Sequence, residues 1–176
     1  MNTTQQTSPI GLLRISEHDG FITELRFLWE GAPKPLPFNC ADSFMYFGEA
    51  SANALEECVS QLDAYFKGDL REFTLPFKIA GTKFQQTVWK TLLTIPYGET
   101  IPYKELAVRI GNPKAIRAVG GANNKNPISV ILPCHRVIGS DGKLVGYGGG
   151  LDAKKFLLEL EVGESVVPDI VQNPNV

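Results

Sequence analysis

Hydrophobic and polar positions divide the chain into a strand-rich part and a helical part. The stretches "IGLLRIS" and "FITELRFLW", joined by the turn "EHDG", predict a β-hairpin, and "EFTLPFKI" predicts a further strand. Between them, "NALEECVSQLDAYFKG" predicts a helix that Gly68 terminates. Its apolar stripe is Leu55, Val59, Leu62 and Phe66.

The pattern turns helical at "AGTKFQQ". Thr82 and Gln85 have the spacing of a capping box. One face of the helix that they open carries Phe84, Val88, Leu92 and Ile95, and "PYGE" ends it. "IPYKELAVRIG" predicts a short helix, and "NPKAIRAVGGAN" predicts another with Asn112 as N-cap and Pro113 in the first helical position. Two short helices joined by a tight turn are typical of a helix-turn-helix unit.

The last patterned segments are a strand and a helix. An apolar strand is predicted over residues 128–132, followed by a proline and then the dipeptide Cys134–His135. In "LDAKKFLLELE" the expected buried face is Ala153, Phe156, Leu157 and Leu160. Glu161 follows Leu157 by four residues, which places it on that same face.

Composition describes an ordinary globular chain. Its 176 residues are 43% hydrophobic and 20% charged, enough for one medium domain or two small ones. The opening "MNTTQQTSPIG" lacks the features of a secretory signal, and no apolar run approaches a membrane span. Three widely spaced cysteines argue against a disulfide framework and favour a reducing, cytoplasmic location. Cys58, beside an apolar stripe, and Cys40, near a proline-rich loop, are interpreted as inert.

Charge is distributed unevenly along the chain. The net charge is −2, but residues 1–80 carry 6 Lys/Arg and 11 Asp/Glu, whereas residues 100–147 carry seven Lys/Arg and two Asp/Glu. A basic second half is compatible with a polyanionic partner. An ordinary solvated mixture of charges is the alternative.

Cys134 is the candidate reactive group. A thiol attacks as the thiolate, so its surroundings must lower its pKa or a base must take its proton. His135 is the neighbouring base, and Arg136 adds positive potential. Neighbours on a strand point to opposite faces, so a bend or a water would have to link the two side chains. A buried carboxylate needs a partner, and Glu161 paired with His135 would form a relay of the triad type. The alternatives are a buried structural cysteine and a Glu161 that faces solvent beyond the helix end.

Other chemistries are weaker. Five Cys and His residues scattered along the chain do not supply the close four-ligand spacing of structural zinc. A cysteine hydrolase stays open, although the chain shows no cysteine at the start of a helix and no separate distant histidine.

The second half resembles the O6-alkylguanine-DNA alkyltransferases, also called methylated-DNA–protein-cysteine methyltransferases. The matching stretches are "FQQTVWKTLLTIPYGETIPYKELA", "GNPKAIRAVGGANNKNPISVILPCHRVIG" and "GYGGGLDAKKFLLELE", within roughly residues 82–162. The first 80 residues match only loosely, through "SPIGLLRIS" and the helix before "YFKG". The resemblance implies an α/β fold with a small ribonuclease-H-like domain over 1–80, a mainly helical winged-helix-like domain over 81–163 and an irregular tail over 164–176.

The resemblance also implies roles for individual residues. Cys134 would accept the alkyl group, His135 and Glu161 would activate it through a water, and Asn126 would brace the turn around it. Tyr103 would protonate the departing guanine and help to turn the nucleotide out. The pocket would be lined by Val137, Tyr147, Gly148, Gly149, Gly150 and Lys154. DNA would be contacted by Arg117, which fills the gap left by the flipped base, and by Tyr103, Ala118, Gly120, Gly121, Lys125 and Arg136. The small residues around "AVGGA" would allow close approach to the sugar–phosphate, or simply tight helix packing.

These roles define the expected activity. The protein would bind the minor groove of double-stranded DNA, flip out O6-alkylguanine, and also O4-alkylthymine, and transfer the alkyl group once, without a cofactor. We expect a monomer without a membrane partner. Some family members hold zinc in the first domain, but here only His18 stands near a plausible ligand position, so no zinc is expected. Gly148 replaces a serine of other members, which leaves room in the pocket. A DNA-binding module with an inert thiol is the rival interpretation.

Overall fold

The computed structural model describes residues 1–28 and 44–163. The sequence-based predictions for Cys40, for Trp29 at the end of the second strand and for the tail 164–176 lie outside the described residues. Within them, no helix combines the length and apolar character needed to cross a bilayer.

The first part of the chain forms a five-stranded sheet. Its strands are β1 (Asn2–Ser8), β2 (Gly11–His18), β3 (Phe21–Phe27), β4 (Phe44–Phe47) and β5 (Phe77–Ala80), in the order β1-β2-β3-β5-β4. All neighbours are antiparallel except β3 and β5. The predicted hairpin is confirmed, and its turn residues Asp19 and Gly20 have the positive φ angles, 54° and 79°, that tight hairpin turns require. β1 was not predicted because "NTTQQTS" has no apolar residues.

One helix, α1 (Ala54–Phe66), packs on this sheet. Its fully buried residues are Ala54, Cys58, Leu62 and Tyr65, so the buried face is rotated from the predicted stripe, of which only Leu62 is fully buried. Cys58 is inaccessible, and burial raises its pKa to about 12, which supports the interpretation of an inert thiol.

The second part is mainly helical. It contains α2 (Lys83–Leu92), α3 (Tyr103–Arg109), α4 (Ile116–Asn124) and α5 (Leu151–Val162), with the short parallel strands β6 (Ile101–Pro102) and β7 (Val137–Ile138). The Thr82–Gln85 capping box of α2 is confirmed. The predicted start of α4 is wrong: its N-cap is Ala115, because the preceding residues close a turn in which the Ala115 N–H donates to the Asn112 carbonyl at 3.0 Å.

The predicted strand over residues 128–132 is also wrong. Ile128, Val130 and Leu132 are buried, but the segment doubles back, with only isolated bridges from Ile128 to Leu25 and from Ser129 to Leu132. The Ile131 N–H donates to the Ser129 carbonyl, and Val130 between them has φ 73°, the geometry of a strained γ-turn. A short apolar run indicates burial and does not distinguish a strand from a buried loop.

The sheet and the helical part share a core. The Leu25 N–H donates to the Pro127 carbonyl at 2.9 Å, and the Ser129 N–H donates to the Leu25 carbonyl at 3.0 Å. Strand β3 of the first part is therefore fixed to the segment that precedes Cys134.

Candidate active site

Cys134 begins a single turn of 3-10 helix, Cys134–Arg136. The turn follows Pro133, and the Cys134 N–H donates to the Leu132 carbonyl at 2.8 Å. Since the segment is a helical turn and not a strand, Cys134 and His135 do not point to opposite faces as the strand interpretation required. Both side chains are buried, with Cys134 3% exposed.

Asn126 fixes the loop that carries the thiol. Its Nδ2 donates to the Leu132 carbonyl at 2.8 Å and to Sγ of Cys134 at 3.0 Å, while its Oδ1 accepts from the Ile128 N–H at 3.0 Å. One amide thus holds both ends of the doubled-back segment. It also aims an N–H group at the sulfur, which favours the thiolate.

His135 and Glu161 are in contact, as their spacing and burial led us to expect. The two atoms nearest each other, His135 Nε2 and Glu161 Oε1, are 2.8 Å apart, and both side chains are inaccessible. An ionised carboxylate only accepts hydrogen bonds, so in the neutral imidazole Nε2 carries the hydrogen and Nδ1 keeps the lone pair. Nδ1 finds no hydrogen-bond partner among the described residues. The pair therefore offers a base at Nδ1.

Glu161 is tied to groups from both parts of the chain. Arg136 donates to it through two nitrogens, at 2.8 and 3.0 Å, and the hydroxyl of Tyr65 on α1 donates at 2.6 Å. The Gly98 N–H adds a donor at 3.2 Å. This arrangement corrects the expectation that Arg136 contacts DNA. Its guanidinium is buried, and its third nitrogen donates to the Ile95 carbonyl.

The ionisable groups are tuned by burial and by one another. Burial raises the pKa of the Cys134 thiol, against the opposing effects of the Asn126 hydrogen bond and the Lys154 charge. Burial lowers the pKa of His135, although Glu161 opposes this. Burial would raise the pKa of Glu161, but hydrogen bonds and charges from His135 and Arg136 outweigh it and lower the pKa. The resting site thus combines a protonated thiol, a neutral imidazole and an ionised carboxylate.

Lys154 supplies a buried positive charge next to the thiol. Its Nζ donates to the carbonyls of Val137 at 2.7 Å and Val145 at 2.9 Å. Burial lowers its pKa to about 8, and the interaction with Cys134 opposes that shift. The resemblance alone had placed Lys154 in the pocket. In the structure, its charge interacts with the thiol of Cys134.

Tyr103 starts α3 directly after β6, which pairs with β7 at the end of the cysteine turn. Its hydroxyl lies 3.2 Å from Nδ2 of Asn123, which also lies 3.3 Å from the Cys134 carbonyl oxygen. Asn123 was missed by sequence reasoning. The signal was its spacing from Val119, which places it on the buried face of α4.

A pocket beside Cys134 combines residues from the sheet and from the helical part. It is lined by Arg26, Phe27, Asn123, Asn124, Asn126, Ser129, Cys134, Gly146, Tyr147 and Gly148. The rings of Phe27 and Tyr147 meet edge to face, with centroids 5.7 Å apart. Gly149 lies under the Phe27 ring, since a Cβ built there would come within 2.4 Å of it, whereas a Cβ at Gly148 meets nothing within 4 Å. The first part of the chain therefore contributes a wall that sequence reasoning did not anticipate.

The helix α4 presents small and basic residues at the surface. Arg117, Ala118, Gly121 and Lys125 are exposed, and Gly120 is half-buried next to the Tyr103 ring. Asn123 and Asn124, at the end of the same helix, line the pocket that contains Cys134. The exposed residues of α4 therefore lie on the helix that borders this pocket.

His18 is the residue of the first part that sequence reasoning placed near a plausible zinc-ligand position. Nδ1 of His18 lies 2.9 Å from Asp19 Oδ2, and over residues 1–28 and 44–163 no group of three or more His, Cys, Asp or Glu side chains could hold a metal.

The fold and the site define a class of two-domain proteins with a buried cysteine beside a His–Glu pair and two short consecutive helices, α3 and α4. The family model described as "6-O-methylguanine DNA methyltransferase, DNA binding domain" matches residues 83–163. The model of the corresponding "ribonuclease-like domain" matches residues 3–79. The chain belongs to the methylated-DNA–protein-cysteine methyltransferase family.

Individual relatives are similar over nearly the whole chain. Proteins of that name from Methanosarcina barkeri and Mycobacterium leprae are each 50% identical, over 88% of this chain and 92% and 88% of their own lengths. A crystal structure of the Mycobacterium tuberculosis protein in complex with DNA is 47% identical and covers 92% of this chain and 93% of that one, with a TM-score of 0.78. An O6-methylguanine DNA methyltransferase from Methanococcus jannaschii is 27% identical, covers 92% of this chain and 93% of that one, and has a TM-score of 0.60.

Proposed function

We propose that this protein repairs alkylated DNA by moving the alkyl group from O6 of guanine irreversibly to Sγ of Cys134. The observation that carries the proposal is the buried thiol that accepts a hydrogen bond from Asn126 beside the His135–Glu161 pair. A thiol in this setting is held for one directed attack and is shielded from bulk solvent.

The chemistry follows from the protonation states of the site. His135 takes the thiol proton at Nδ1, through a water, while Glu161 stabilises the imidazolium that forms. Asn126 and Lys154 stabilise the thiolate, which attacks the alkyl carbon. Tyr103 protonates the departing guanine. The thioether product has no good leaving group, so each molecule reacts once.

DNA is bound through the exposed face of α4. The O6 atom is inaccessible in a stacked, paired duplex, so the nucleotide has to be turned out into the pocket. Arg117 enters the minor groove and occupies the gap, while Ala118, Gly120 and Gly121 let the backbone approach the sugar–phosphate, and Lys125 adds charge. The partner is double-stranded DNA carrying O6-alkylguanine, and O4-alkylthymine is a second substrate. The protein acts as a monomer, and the functional division lies between residues 1–80 and 81–163.

Replacing the acceptor tests this function. Cys134→Ser should abolish transfer yet keep nearly the full affinity for duplex DNA, because phosphate contacts dominate affinity and come from other residues. Intact-protein mass spectrometry after incubation with an O6-methylguanine duplex measures the transfer. Cys58→Ala is the matched control, since that thiol lies in the core of the first domain and its loss should leave transfer stoichiometric.

Each alternative predicts a different spectrum. Stoichiometric methylation of the Cys134→Ser protein would contradict the assignment of the acceptor. An unchanged mass of the wild-type protein would favour a DNA-binding module with an inert thiol. A transient acyl adduct, formed in a separate incubation with an activated ester, would favour a cysteine hydrolase.

A further inference from the structure

Asn123 is a buried side chain in the last turn of α4 that links two parts of the site. It is 1% exposed and lines the pocket beside Cys134. Its Nδ2 lies 3.2 Å from the Tyr103 hydroxyl oxygen and 3.3 Å from the Cys134 carbonyl oxygen. A single amide group therefore contacts both the candidate acid and the backbone of the acceptor cysteine.

The orientation of this amide follows from the chemistry of its neighbours. The Cys134 carbonyl oxygen only accepts hydrogen bonds, so the atom facing it has to be the NH2 group; the flipped amide would place two acceptors together. The same nitrogen, which only donates, faces Tyr103. The tyrosine oxygen therefore accepts from Asn123, and its own hydrogen stays available for another partner.

We propose that Asn123 is a positioning residue for alkyl transfer, which keeps the Tyr103 hydroxyl hydrogen directed to the departing base. The inference rests on the proposed function and adds a residue to it. An acceptor at position 123 would take the hydroxyl hydrogen for itself. Because the Asn123 NH2 group donates, the Tyr103 hydroxyl hydrogen remains available to the substrate. The same NH2 group contacts both the Tyr103 oxygen and the carbonyl of Cys134.

The orientation of the Asn123 amide matters because the reaction needs a proton from the Tyr103 hydroxyl. The S–C bond forms as the C–O6 bond breaks, and the electron pair of that bond passes into the guanine ring. The Tyr103 hydroxyl gives its proton to a ring nitrogen of the guanine. Tyr103 then recovers, through solvent, the proton that His135 removed from the thiol, so that in net terms one proton passes from the thiol to the guanine. The hydrogen bond from Asn123 also lowers the pKa of Tyr103, against the larger effect of burial, which improves it as an acid.

Replacing the amide by groups of similar size separates positioning from packing. Asn123→Leu removes the donor and should slow single-turnover transfer at saturating DNA by about 10-fold, with the half-saturating DNA concentration unchanged, because a positioned acid typically contributes about 100-fold or more in total. Asn123→Asp keeps the shape but supplies acceptors, so it should slow transfer by about 100-fold. Asn53→Leu, at an exposed asparagine that makes no cap hydrogen bond on α1, is the control and should transfer at the wild-type rate.

A double-mutant cycle identifies the route through Tyr103. If Asn123 acts on the hydroxyl, Asn123→Leu should cost nothing further in a Tyr103→Phe background, measured both on duplex and on the free O6-alkylated base. Multiplicative losses in the double variant would mean that Asn123 acts by packing, and would overturn the inference.

The two proposals fail in different ways. A wild-type protein that transfers no alkyl group would contradict the proposed function. A wild-type protein that transfers, together with an Asn123→Asp protein that transfers equally fast, would contradict only the role of Asn123. Should Asn123→Leu lower the melting temperature, the Asp variant, which has nearly the shape of asparagine, still decides the question.

Discussion

Lys154 is a buried amino group whose charge favours the thiolate of Cys134. Its Nζ is fixed by two backbone carbonyls, and burial lowers its pKa to about 8. The side chain is therefore charged in most molecules at neutral pH and loses its charge as the pH rises through about 8. While charged, it stabilises the thiolate of Cys134.

Lys154→Met should slow single-turnover methyl transfer by about 10-fold at pH 7, equivalent to ~1.4 kcal/mol of activation free energy. The deficit should shrink above about pH 8, because the wild-type lysine then loses its charge too and the thiol ionises unaided. A rate–pH profile from about 6.5 to 9.5 measures this. Lys155→Met, half-exposed on the same helix, is the control. A deficit that stays constant across the profile would mean that Lys154 acts through its carbonyl contacts.

Prediction of individual residues succeeded where the helical spacing and the free-energy cost of burying an unpaired charge supported the same conclusion. Glu161 follows Leu157 by four residues, and the cost of an unpaired buried carboxylate implied a partner, which is His135. Arg136, which the resemblance assigned to DNA, is instead buried and donates to Glu161. Asn123 was missed because a polar residue near a helix end ordinarily faces solvent.

At the scale of elements, the end of β3 and the glycine run before α5 pack directly on each other. The tip of the Phe27 ring, on β3, occupies the space where a side chain at Gly149 would lie, while the neighbouring Gly148 faces open space. Phe27 is 5% exposed and held edge to face by Tyr147, so its ring has little room to move. Position 149 therefore has no room for a side chain, whereas position 148 has room for one.

Gly149→Ala should lower the free energy of unfolding by about 1–3 kcal/mol through overpacking, whereas Gly148→Ala should stay within about 0.5 kcal/mol of the wild type. Combining Gly149→Ala with Phe27→Leu should cost at least ~0.5 kcal/mol less than the sum of the two single changes, since the shortened side chain makes room for the methyl group. Urea denaturation of the wild type and the four variants measures these differences. Strict additivity would show that the Phe27 ring does not limit position 149.

Elements were predictable where local signals determined them. The capping box and apolar face of α2 are local features, and the hairpin turn is set by Asp19 and Gly20. The segment 128–132 was not predictable, because its path depends on Asn126, which binds both of its ends, and on Leu25 of the other domain. Tertiary hydrogen bonds there override the extended pattern that an apolar run suggests.

The whole molecule assembles the site from both domains. Tyr65 on α1 donates to Glu161 on α5, and Phe27 on β3 lines the pocket, so the sheet domain contacts both the His135–Glu161 pair and the pocket beside Cys134. The motifs that resemble the family lie almost wholly in the second half of the chain. These contributions of the first domain therefore became apparent only from the packing.

In the proposed function, extrusion of the target nucleotide is the step at which the whole molecule acts on the duplex. Arg117 is exposed near the start of α4, and Asn123, six residues further along, lines the pocket, an axial separation of about 9 Å. If its guanidinium fills the gap left by the base, it offsets an unstacking cost on the order of a few kcal/mol.

Arg117→Ala should therefore slow repair of saturating duplex DNA by about 10- to 1000-fold, because each ~1.4 kcal/mol is a factor of ten in rate. The free O6-alkylated base needs no extrusion, so its slow reaction with Cys134 should barely change, and single-stranded DNA should fall between the two.

Lys114→Ala, at an exposed lysine just before α4, is the matched control for a simple phosphate contact. It should weaken binding and reduce the salt dependence while leaving transfer at saturation normal. If Arg117→Ala behaves like Lys114→Ala, Arg117 is one more phosphate contact; if it slows the free base as much as the duplex, it supports the fold of the active site. Either result would remove it from the extrusion step.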